Sequence, residues 1–379
     1  MKKKQEQCAS ACRLSKVGGE AVIEGVMMRA GDRCSTACRL EDGSIAVVDR
    51  KFVSIRKRKK FFNIPILRGF VNFIESMVMS FGILELSAEM MGGEPEETKF
   101  EKWLKKVFGK SIYDVIMLFA GVLGIALAVV LFSWLPNKCA EWIQGWVGQD
   151  LGIWKAAISG GMRILIFIGY IALISLMRDI RRTFQYHGAE HKSIACYEAG
   201  EELTPENAKK HSRFHPRCGT SFMFVMLALS ILVALGIRAL CEHVFYFDFA
   251  FGPYASLIYT GIGILTLPIV MGIGFEFLMY AGKHNGPIIR LLSAPGLWMQ
   301  RLTTREPSLE QLEVALTALK CSLPEEFPEF DRNAVLVRDE YNHPPVKKKK
   351  GQETVNSVAT EPKEAESEAT EPTDGNEPL

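Results

Sequence analysis

The sequence predicts a mainly α-helical, polytopic membrane protein with about four transmembrane helices, preceded by a small N-terminal β-rich unit on the cytoplasmic side. Three observations predict it. Residues 112–135, 156–177, 220–237 and 253–280 are long, nearly uncharged runs, and a bilayer core of about 30 Å asks for about 20 such residues. Lys and Arg gather before the first run and between the second and third, whereas the other two loops are poor in them, which puts both termini and the basic loops inside. Ahead of the runs, Ser35 to Leu40 and Ile45 to Ser54 flank a turn at Glu41-Asp42-Gly43-Ser44, a hairpin signal. With a net charge of +2 on 379 residues there is no call for nucleic acid; the partner implied is the lipid bilayer.

Residues 1–16 are basic and carry no apolar stretch that would make a signal peptide, and 17–60 form the β-rich unit. Residues 61–90 are an apolar run interrupted by Arg68 and Glu75, which at i and i+7 share a helix face; an interfacial or re-entrant helix with Pro65 in its first turn is preferred to a further span. A charged linker leads to the first span. After the second, the helix is expected to continue through Arg178 to Tyr186, carrying the following residues about 15 Å above the bilayer. Residues 178–219 form a cytoplasmic loop, within which Thr204-Pro205 opens a short helix over 205–212. After the fourth span, 281–325 comprise an interfacial segment and an amphipathic helix from Leu309, announced by the capping box Ser308 and Gln311. From Val346 four Lys precede a Glu-, Thr- and Pro-rich tail expected to be disordered.

The chemistry concentrates in the cytoplasmic loop. In His187-Gly188-Ala189-Glu190-His191 the two His stand at i and i+4 of a helix and can converge on one metal ion with Glu190 beside them, the HxxEH pattern. His215 and Cys218 follow as two further zinc donors, and four of the chain's 7 His fall within roughly thirty residues. Glu276, near the inner end of the fourth span, is an ionisable group where one is costly, and stands at the cytoplasmic level of His215 and Cys218. The expected metal ligands are therefore His187, His191, His215, Cys218 and Glu276, and the expected catalytic residues are Glu190 as base, Arg217 (or Lys192) as anion stabiliser, and the Gly-flanked Glu24. The 9 Cys point to reduced thiols, among which the CxxxC pairs Cys8/Cys12 and Cys34/Cys38 are a candidate second zinc site; the exception is Cys139 with Cys241, both expected on the outer face, where they could pair.

The runs from Val17 to Arg29, Tyr186 to Lys192, His215 to Phe222, Glu276-Phe277 and Pro295 to Pro307 resemble the YqhQ-like bacterial membrane proteins, a family known mainly as uncharacterised, multi-pass and predicted to be metal-dependent. The resemblance covers roughly residues 17 to 320 and implies membrane location and a metal. Position 20, expected to be Gln there, is Glu here, which makes Glu20 the weaker catalytic candidate beside Glu24. Three functions remain open: a membrane-embedded, zinc-dependent hydrolase acting on a membrane-linked substrate; a scaffold or regulator pinned by structural zinc; and a transporter using Glu276 and Arg163, for which a homo-oligomer would be needed.

Overall fold

The computed structural model describes residues 16–92, 111–149, 151–243, 255–281 and 286–340, together with Arg13. The expectations for the basic N-terminal segment, the charged linker, Cys8, Cys12, the Cys241 side chain and the tail from Val346 lie outside the described residues. The described chain is mainly helical around one small sheet. Strands β1 (Val17–Val22), β2 (Gly25–Ala30), β3 (Arg33–Arg39) and β4 (Ile45–Lys51) form an antiparallel meander, and β5 (Leu336–Asp339) joins parallel to β4, giving the order β1-β2-β3-β4-β5. The turn expected at 41–44 closes β3 onto β4 with Arg39 opposite Ile45, and the Asp42 carboxylate accepts the Ser44 N–H at 2.9 Å. β1 is an edge strand.

The period of two sorts the strands into two buried faces. Val26, Met28, Ala37 and Val47 pack on helices α6 and α11, defined below, and form the main core. Val22, Met27, Cys34 and Cys38 face the other way, onto Ile83 of α2. Cys34 and Cys38 are thus buried in this second core. The fully buried Asp49 of β4 accepts from Ser35 Oγ at 2.5 Å and Arg33 at 2.6 Å and pairs with Arg332, tying the segment before β5 to the sheet.

A short α1 (Ile55–Arg58) leads to α2 (Leu67–Met90), an uninterrupted helix of 24 residues. Its two charged side chains are held by different partners. Glu75 caps α1, accepting Ser54 Oγ at 2.7 Å and Ile55 N–H at 2.6 Å, and Arg68 pairs with Glu276. Next comes α3 (Ser111–Val129), which runs through one π turn (Val130–Trp134) into α4 (Leu135–Val147), so the helix expected to end near 135 continues past it. Pro136 follows the π turn directly, and Gly148, left-handed at φ 72, ends the helix.

α5 (Ile153–Ile174) does not continue into the next helix as expected. The backbone turns at Leu176 and is extended at Met177 (ψ 136), and α6 (Arg178–Ala199) starts afresh. α7 (Pro205–Lys210) is capped by Thr204, whose side chain accepts the Asn207 N–H. α8 (Gly219–His243) and α9 (Ala255–Ala281) follow, and then α10 (Pro287–Thr303), a helix with Pro295 inside it where a mixed interfacial segment was expected. α11 (Leu309–Ser322) carries the capping box of Ser308 and Gln311.

Among the described residues three helical stretches are long and apolar enough to cross a bilayer: Leu67–Met90, Gly121–Val147 and Trp154–Ile174. The apolar stretches of α8 and α9, Met223–Ile237 and Gly261–Phe277, are shorter. The run containing Arg68 and Glu75, expected to lie along the interface, qualifies by length and composition, while α8 (25 residues) and α9 (27 residues) hold most of the third and fourth expected runs. Three such helices are compatible with a membrane protein.

Candidate metal centre beside the edge of the sheet

α6 brings His187, Glu190 and His191 to one face, as HxxEH on a helix requires. Two elements then close on that face. The segment 213–218 passes over it, held by a reciprocal clamp in which Gln300 of α10 accepts the His215 N–H and donates to the His215 carbonyl, both at 2.8 Å. The chain leaving α10 crosses α6 at Gly188, where the Arg305 carbonyl lies so near that an added Cβ would stand 2.0 Å from its oxygen. Glycine in the second position of HGAEH is thus a packing necessity, and Arg305 N–H, bonded to Phe184 O at 2.8 Å, fixes the crossing.

The result is a convergence of three donors. His187 Nε2 is 3.2 Å from Cys218 Sγ, and the ligand atoms of His187, His191 and Cys218 all lie within 4.8 Å of one another. Both imidazoles are oriented from behind: His187 Nδ1 is 2.9 Å from the Thr303 carbonyl and His191 Nδ1 is 2.6 Å from the Arg213 carbonyl. Each Nδ1 must donate to its carbonyl, which leaves each Nε2 as the acceptor and faces it inward. His191 Nε2 is buried and has no hydrogen-bond partner among the described residues. Such an orphan is costly unless something with a positive charge or a proton binds it. Cys218 caps the first turn of α8, its sulfur receiving the Thr220 N–H at 3.4 Å.

Glu190 lies 4.0 Å from His187 Nε2, and β1 fixes it from the far side: a Cβ on Gly19 would stand 2.8 Å from Glu190 Cγ. Burial pushes its carboxyl up to about 7; the His187 charge opposes this and the Glu20 charge adds to it. Glu20 of β1 accepts from Ser80 Oγ of α2 at 2.6 Å, and burial raises its own carboxyl against that hydrogen bond and the pull of His187. The weaker candidate of the sequence is therefore the one beside Glu190. Glu24, with φ at 49, turns away to pair with Arg182 and accept from Tyr186 Oη at 3.3 Å.

The remaining predicted residues stand further off. The His215 ring lies 5.5 Å from that of His191, but its Nε2 is turned to Arg217, 3.2 Å away, and to Glu198, 3.8 Å away. Burial lowers its pKa against the Glu198 hydrogen bond. Arg217 is paired with Glu198. Lys192 is committed to the carbonyls of Lys209 and His211, each at 2.8 Å, and to Glu306. Glu276 is held by Arg68 and is outside the group of convergent donors. Sequence reasoning missed Thr303, Gln300 and Glu198, which act through backbone carbonyls or through another side chain and so leave no donor motif. For Gln300 and Thr303 the one signal was the run Pro295 to Pro307, noticed as a resemblance and given no role; Glu198 lies outside it.

A mainly helical chain with three candidate membrane helices and a buried His-His-Cys-Glu cluster at the edge of a small sheet defines the class. Within it, the chain belongs to the family described as a protein of unknown function (DUF1385), whose model matches residues 64–325. It is 35% identical over 305 residues to the "Uncharacterized protein YqhQ" of Bacillus subtilis (strain 168), an alignment covering 79% of this chain and 89% of that one. No solved structure matches.

Proposed function

We propose that the chain is a membrane-bound, metal-dependent hydrolase working at the cytoplasmic face, with His187, His191 and Cys218 as protein ligands and Glu190 as the base. The observation that carries the reading is the inward Nε2 of His191, buried and unpartnered among the described residues, next to two further donors. Two imidazoles and a thiol suit zinc, and three protein donors leave one position of a tetrahedron open. A closed structural site needs a fourth donor, and His215, the best remaining one, points its Nε2 at Arg217. A transport path through Glu276 is disfavoured by its pairing with Arg68.

When bound, zinc supplies the Lewis acidity that polarises a scissile carbonyl and makes water nucleophilic near neutral pH. Glu190 takes a proton from the attacking water and returns it to the leaving group. Thr303 and Arg213 keep the two imidazoles in register through their carbonyls, while Arg217 is engaged by Glu198 next to His215. The nearby apolar helices favour a substrate linked to the membrane.

Metal analysis of detergent-purified protein tests this, together with turnover of fluorogenic ester and peptide substrates. About one zinc per chain in wild type and Glu190→Gln, with turnover in the first alone, is expected. Zinc-free wild type, or a zinc-loaded wild type no more active than Glu190→Gln, would overturn it.

A further inference from the structure

The cluster lies beside the outer edge of β1, and the hydrogen-bond parity of the sheet determines which backbone groups that edge presents. Arg39 N–H donates to Glu24 O, so with the register Val26 opposite Ala37 and Met28 opposite Ser35 the even residues of β2 serve β3. Its odd residues, Gly25, Met27 and Arg29, therefore serve β1, through Val22, Glu20 and Gly18. That leaves Gly19 and Ala21 with both N–H and C=O directed outward. Ile23, next in the series, bears this out: its N–H reaches out to Ser87 Oγ of α2 at 3.3 Å. Gly19 and Ala21 have no such partner among the described residues.

This edge runs between two helices that cover opposite faces of the sheet. α2 packs its Ile83 on one side and sends Ser80 to Glu20. α6 packs on the other and sets Glu190 against Gly19. Two outward N–H and C=O pairs, about 6.6 Å apart along the strand, match the two-residue repeat of an extended peptide main chain, whereas an acyl chain has no group to bond them.

Resting on the hydrolase reading, we infer that the substrate is a polypeptide segment, bound in extended form as an added strand along Gly19 and Ala21 of β1, so that a backbone carbonyl lies at the His187, His191 and Cys218 cluster. The edge groups fix the direction and register of the added strand. Glu20 and Ser80 border it on the α2 side.

The test uses full-length Glu190→Gln in nanodiscs, its zinc content measured first, with fluorescein-labelled β-casein as an unfolded polypeptide probe and a fluorescent phospholipid ester for comparison. Ala21→Pro removes one outward N–H and leaves the ladder to β2 intact, as proline on an edge strand allows. It should keep its zinc and weaken casein binding about tenfold, the value of one main-chain hydrogen bond of ordinary strength. Amide-resolved hydrogen exchange supplies a measurement without the variant: casein should protect the Gly19 and Ala21 amides, while those of Glu20 and Val22 stay slow throughout. Zinc-loaded protein that binds the phospholipid ester but no casein, or binds casein without protecting these two amides, overturns the peptide inference and leaves the metal centre standing. Absence of zinc overturns the hydrolase reading itself.

Discussion

The chain carries two groups of metal-capable side chains, each with at least one member on α6, and they differ in everything except proximity. His187, His191 and Cys218 have donor atoms within 4.8 Å, and so do Cys196, Glu201 and His211. In the first group the far nitrogens of both imidazoles are bonded to carbonyls, so the near ones have no alternative to facing inward. In the second, His211 Nε2 is already satisfied by Glu201 at 3.1 Å, on a surface where that carboxylate is 46% exposed. Burial pushes the Cys196 thiol up to about 11, with the Glu201 charge adding to it, so the sulfur is a protonated core group at neutral pH. Clustering of donors is common; what separates a site from a salt bridge is whether the surrounding backbone forbids the donors any other partner.

The largest expected effect tests that distinction directly. His191→Ala should reduce zinc from about one equivalent to below about a tenth, since two remaining donors do not hold the metal against dialysis. Elemental analysis after dialysis decides it, with Cys196→Ala retaining the full equivalent. Equal loss in both variants would break the comparison.

Next in size is Gly188→Ala. The new methyl would meet the Arg305 carbonyl at 2.0 Å, and backbone on both sides must move. A destabilisation of about 3 kcal/mol is expected from overpacking of this kind, read as a lowered midpoint in a thermal-shift assay, together with loss of the metal as Thr303 withdraws from His187. Gly200, at the end of the same helix near the second group, offers a contrast of a different origin: its φ of 76 makes alanine there strained through the backbone, with no effect on zinc.

A smaller effect is expected where the first group is held indirectly. Gln300→Leu leaves the buried His215 N–H and C=O without their clamp and loosens the segment that supplies both Cys218 and the Arg213 carbonyl. Zinc affinity should fall about 10- to 100-fold, the usual cost of removing an orienting partner, measured by competition with a chromophoric chelator. Unchanged affinity would show that α10 does not position the site.

How much of this was legible in the sequence follows from the kind of information each feature carries. The 41–44 turn, the cap at Thr204 and the capping box at Ser308 are local, and local turn chemistry wrote them plainly. The pairing of His187 with His191 is also local, a matter of i and i+4. Legibility fails wherever a residue matters through distant backbone. Nothing near Gln300 in the sequence announces His215, 85 positions away. Glu24 and Glu20 look alike as Gly-flanked carboxylates, and only the strand register decides that one meets Arg182 and the other Ser80. Arg68 and Glu75 read as interruptions of a span for a related reason: their partners, Glu276 for the one and Ser54 for the other, come from elsewhere in the chain.

The smallest effect belongs to the second group, and its smallness is the point. His211→Ala removes a part-exposed hydrogen bond to Glu201, which contributes at most about 1 kcal/mol in water because both groups are well hydrated before they meet. The backbone around it should hold, since the Lys192 ammonium grips the carbonyls of Lys209 and His211 whatever side chain position 211 bears. Thermal-shift and zinc measurements should both sit within error of wild type. A second zinc equivalent in wild type that disappears in His211→Ala would mean that half-exposed donors with a competing partner do bind metal here, and that anchoring by backbone carbonyls is not what sets the first group apart.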